Sequence, residues 1–132
     1  MTQDPALRLK PLWLVLGWMM VATVVYLALM PYPPQPMDFN SSDKLEHAAA
    51  FAGMTLWFFQ IVAARRRLAV GAALLLLGIG IEIAQSFTPT RDFEYADMVA
   101  DGVGILMGAW LARGWAGKVL ATLERKLLAR ES

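Results

Sequence analysis

The chain has 132 residues, of which 58% are hydrophobic and 17% charged, with a formal net charge of +1 and a mean hydropathy of +0.47. No basic excess points to nucleic acid, and the absence of cysteine excludes disulfides, thiolate metal sites and a cysteine nucleophile. The apolar residues are gathered into four long runs with the charges between them, whereas a soluble domain of this length would interleave the two at helical or strand period.

The first run, Pro11 to Met30, is apolar or small throughout. About 20 residues at ~1.5 Å each cross a ~30 Å hydrocarbon core. It is too long for a cleaved signal peptide, and Met30-Pro31-Tyr32-Pro33-Pro34 offers no small-residue cleavage site, so a retained span is expected. The prolines end it. A second span is expected over 45–64, opened by Ser41-Ser42-Asp43 with Glu46 in a capping-box-like position and closed by Arg65-Arg66-Arg67. The third, 68–87, has Glu82 and Gln85 in its last two turns and is broken by Thr88-Pro89-Thr90. The fourth, 95–115, has Asp97 and Asp101 in its first two turns. From about 117 to 130, Val119, Leu120, Leu123, Leu127 and Leu128 alternate with Lys118, Glu124, Arg125, Lys126 and Arg130, the pattern of a helix lying on a membrane surface. The expected fold class is all-α. It is a polytopic membrane protein, one domain over 1–132, with four transmembrane helices in a compact bundle and a short C-terminal amphipathic helix.

Of the 12 basic residues, Lys44 and Arg91 alone fall in the first and third connections. The other ten lie at the N-terminus, between spans two and three, and towards the C-terminus from the end of span four. The positive-inside rule then predicts a multi-pass protein of a bacterial cytoplasmic (inner) membrane with both termini cytoplasmic. In that orientation His47, Glu82, Gln85, Asp97 and Asp101 all sit within about two turns of the outer boundary. Buried charge in a span costs about 2.5–3.5 kcal/mol at its centre and less near the interface, so such a concentration needs a reason. Asp43 and His47 share a face at i and i+4, as do Asp97 and Asp101, and Glu82 and Gln85 share one at i and i+3. If the faces converge they form a polar pocket, with His47, Glu82, Asp97 and Asp101 as candidate catalytic residues and Lys44, Gln85 and Arg91 as candidate substrate contacts. Each has a plainer reading: an interfacial histidine, a carboxylate at a helix N-terminus, a structural ion pair. Gly104 and Gly108 read as a small-xxx-small packing face. The tryptophans read as belt or packing residues, and Arg65 to Arg67 as a topology signal with room for anionic lipid contact.

Asp43-Lys44-Leu45-Glu46-His47, Glu82-Ile83-Ala84-Gln85, Pro89-Thr90-Arg91-Asp92 and Asp97-Met98-Val99-Ala100-Asp101-Gly102-Val103-Gly104 together resemble the VanZ-like family of bacterial membrane proteins. That family's namesake accompanies teicoplanin resistance. Where its members usually carry asparagine, this chain has Asp101. The resemblance implies the four-span fold and the motif set, not a reaction. Three functions stand open. The first is an enzyme acting at the outer leaflet on a lipid-linked cell-envelope component, with a possible divalent cation held by the carboxylates and His47 and a phosphate held by Lys44 and Arg91. The second is a non-catalytic accessory protein that binds an envelope precursor, an antibiotic or a membrane partner. The third is an ion-coupled transporter. Membrane lipids are expected partners of all three, and no G-x-S-x-G motif supports serine hydrolase chemistry.

Overall fold

A computed structural model describes residues 7–30, 42–88 and 94–131. Among them there is no strand, and five α-helices run in order: α1 (Lys10–Leu29), α2 (Ser42–Phe59), α3 (Arg67–Gln85), α4 (Tyr95–Leu111) and α5 (Val119–Ala129). Single 3₁₀ turns at Ala64–Arg66 and Trp115–Lys118 lead into α3 and α5. Each of the first four helices lies on one of the apolar runs, with ends moved by a few residues. The second run stops early: its helix closes at Phe59, where Arg67 donates through Nε (3.3 Å) and a terminal nitrogen (3.0 Å) to the Phe59 carbonyl. The same guanidinium lies 5.4 Å from the Phe59 ring centroid. A cation thus satisfies a C-terminal carbonyl that has no partner within the helix.

Two helical stretches, Lys10–Leu29 and Ala64–Gln85, are long and apolar enough to cross a membrane. The other two runs fall short for local reasons. α2 carries Asp43, Lys44 and Glu46 within its 18 residues. α4 has 17 residues, about 26 Å at ~1.5 Å each.

The apolar core joins Phe51 and Met54 of α2, Leu74 and Ile81 of α3 and Ile105 of α4, with Val21, Val24 and Val25 of α1 against them. α2 and α4 lie closest. A methyl group on Gly108 would meet the Ala52 carbonyl oxygen at 2.5 Å, and one on Gly104 would collide with the Ala48 carbonyl. Backbone therefore touches backbone along this seam, as the small-xxx-small spacing predicts.

A second cluster closes the other end around Trp13, Ile61 and Leu120, with Trp57 beside them. Here α5 departs from the expected surface helix. Leu120 and Glu124 turn inward and are buried, while Leu123 and Leu127 are left exposed. The Leu120 backbone N–H donates to Gln60 Oε1 at 2.9 Å. Glu124 accepts from the Arg8 N–H (2.9 Å), the Leu9 N–H (2.5 Å) and the Trp13 indole (2.7 Å). The last helix thereby satisfies donors at the start of the first, and Gln60 does the same for the last.

Candidate functional site

His47, one turn into α2, is the centre of a cross-helix polar cluster. Its Nδ1 lies 2.9 Å from Asp101 Oδ1 on α4. A carboxylate oxygen accepts, so Nδ1 carries the hydrogen and the ring's orientation is fixed. The other ring nitrogen, Nε2, is 4.0 Å from Asp97 Oδ2, beyond hydrogen-bond reach. Asp97 and Asp101 are one turn apart on α4 and both buried, so they bracket the ring from the same helix face. The second Asp101 oxygen rests on α3 at Gly78, where a methyl group would come within 2.6 Å of Oδ2. The missing side chain at Gly78 is what leaves room for that carboxylate.

Lys44 and Glu82 extend the cluster in two directions. Lys44 Nζ lies 2.6 Å from Glu94 Oε2 and 3.3 Å from Asp97 Oδ1. Glu82, on α3, is fully buried. Its Oε1 accepts the Glu94 backbone N–H at 2.6 Å, just ahead of α4. Its Oε2 is buried without a hydrogen-bond partner among the described residues. Glu94 therefore connects α2, α3 and α4, through its side chain to Lys44 and its backbone to Glu82.

Of the seven predicted site residues, five come together: Lys44, His47, Glu82, Asp97 and Asp101. Gln85 does not join them. It is buried, and its side-chain amide donates to the Ala28 carbonyl of α1 at 2.7 Å, tying α3 to the last turn of α1. Arg91 and the side chain of Asp43 lie outside the described residues. Lys44, the expected phosphate contact, has its ammonium between two carboxylates, those of Glu94 and Asp97. Among the described residues no three His, Asp or Glu side chains are placed to hold a metal ion, so the possible divalent cation gains no ligand set from them. Glu94 was missed as a site member because it lies outside the apolar runs. Its sequence signal is its position one residue before a helix that opens with a buried carboxylate.

No protein-family profile, no characterised protein and no solved structure matches the chain.

Proposed function

We propose that the chain is a four-span protein of a bacterial inner membrane, with α1 to α4 as a compact bundle and both termini cytoplasmic. Its polar cluster, at the outer ends of α2, α3 and α4, binds or acts on a lipid-linked component of the cell envelope. One observation carries this reading: α4 is polarised inside out. It buries Asp97, Asp101, Gly104 and Gly108, with Ile105 the one large apolar side chain among them, while Tyr95, Val99, Val103, Leu106 and Trp110 are exposed along its opposite face. A helix facing water does the reverse. The exposed stripe suits lipid, and the buried carboxylates are costly unless they serve a site. α3 supports the same reading: beside Leu74 and Ile81 it buries Glu82 and Gln85, while Leu68, Leu76 and Ile83 are exposed.

Within the cluster, an imidazole oriented by Asp101 and open at Nε2 is the arrangement of a general base or of a proton-holding contact to a polar headgroup. The VanZ-like resemblance suggests glycopeptide resistance as the phenotype. The test is expression in a teicoplanin-susceptible bacterium. Wild-type chain should raise tolerance, and His47→Ala and Asp101→Ala should abolish the gain at unchanged membrane yield. Full protection by both variants would refute a role for the cluster.

A purely structural reading of the cluster, the plainer one, has one observation in its favour: Lys44, Glu94, Asp97, His47 and Asp101 engage one another across two helices, as a structural lock would. In that case the same variants lose yield and protection together.

A further inference from the structure

At the end of α4 opposite the polar cluster, a groove of about 440 Å³ is lined by Trp110, Leu111, Arg113, Gly114, Trp115 and Ala116. Trp110 and Trp115 are 69% and 83% exposed, so two large aromatic faces stand open beside one cation. Arg113 is exposed; its backbone N–H donates to the Trp110 carbonyl at 3.1 Å, and no hydrogen bond or ion pair engages its guanidinium among the described residues. Three other cations are occupied: Lys44 by two carboxylates, Arg67 by the Phe59 carbonyl and Arg125 by Thr122. An arginine fork is suited to phosphate oxygens held bidentately, and tryptophan favours the headgroup level of a bilayer.

We propose that this groove is a binding site for one anionic phospholipid, with the headgroup phosphate on Arg113 and the upper acyl chain against Trp110 and Trp115. The inference rests on the membrane reading above and extends it to a second site, on the other face from the cluster. Lipid is favoured over a protein partner by the groove's composition: one unpaired cation between two apolar aromatics matches a single charged head on an apolar tail. Lys118, exposed at the close of the same short turn, adds positive charge nearby. The cytoplasmic leaflet supplies the ligand, since its anionic lipids attract basic residues near the surface.

The experiment is calorimetric titration of the full chain in neutral detergent with dioctanoyl phosphatidylglycerol, dioctanoyl phosphatidylcholine and inorganic phosphate. Wild type should bind phosphatidylglycerol saturably, about fivefold or more tighter than phosphatidylcholine, and should not respond to phosphate alone. Arg113→Gln should erase the preference, Arg113→Lys should keep part of it, and Trp115→Ala should weaken both lipids alike. A preference unchanged in Arg113→Gln, or absent in wild type, would overturn the inference, and so would equal binding of free phosphate. Recovery of the chain in the soluble fraction after alkaline carbonate extraction would overturn the membrane reading itself, a result distinct from a membrane-embedded chain without headgroup preference.

Discussion

Asp101 sits against His47 in space that residue 78 on the neighbouring helix leaves by having no side chain. A methyl group at Gly78 would contact Asp101 Oδ2 at 2.6 Å, so the carboxylate must shift and its contact with the ring is disturbed. The chain has a single histidine, so its imidazole nitrogen resonances report on this contact alone. Gly78→Ala should shift the Nδ1 resonance in the same direction as Asp101→Asn, with helix content retained. An unmoved resonance would contradict the placement.

Glu124 makes a second residue-scale prediction. Burial works against its charge, but the N–H groups of Leu9 and Arg8, the Trp13 indole and the Arg8 cation outweigh it, holding the carboxyl below its ordinary value. A folded-state value below the unfolded one means that the stabilisation is present above the ordinary value of 4.5 and is lost as pH falls through the folded value. Glu124→Gln should lower stability on the order of 2 kcal/mol at neutral pH. Denaturation midpoints of the two proteins should converge on acidification below about pH 4.5. A gap that widens in acid would invert the assignment. Sequence gave no sign of this contact, because a carboxylate among cations on an amphipathic stretch reads as solvated. Its partners lie more than a hundred residues away at the start of α1.

At the scale of elements, the apolar runs and their breakers located all four long helices, and the i, i+4 pair on α4 located the buried carboxylates. Rotation about a helix axis was less legible. Glu82 and Gln85 share a face by spacing, yet one turns to α4 and the other to α1, because α3 packs between the two at that end. The hydrophobic count on α5 likewise suggested one membrane-facing stripe. Packing instead split it, with Leu120 inward and Leu123 and Leu127 outward.

The α2–α4 seam was legible in Gly104 and Gly108, since only close backbone approach needs glycine at that spacing. Leucine at either position has no space to occupy and must force the helices apart. Gly108→Leu should therefore lower stability by at least about 1–3 kcal/mol, read as loss of folded yield on size-exclusion chromatography in detergent. The same change at Gly102, where a methyl group meets open space, should be tolerated as a control. Equal yields from both variants would contradict the seam.

For the molecule as a whole, polar groups concentrate at two ends with different jobs. One end holds the His47 cluster. The other is fastened by Gln60 and Glu124 and carries the tryptophan groove. Charge segregation along the chain foreshadowed this division: ten of twelve basic residues fall on one predicted side, and the acidic spans converge on the other.

The central claim, a membrane-embedded chain with its His47 cluster toward the outside, is tested most directly by thiol labelling. The natural chain has no cysteine, so single replacements need no background removal. Thr88→Cys, just beyond α3 at the cluster end, should react in intact cells with a membrane-impermeant maleimide. Ala64→Cys, ahead of α3 at the opposite end, should react only after the membrane is permeabilised. Labelling of Ala64→Cys with protection of Thr88→Cys would invert the orientation, and labelling of both in intact cells would contradict the membrane-spanning account altogether.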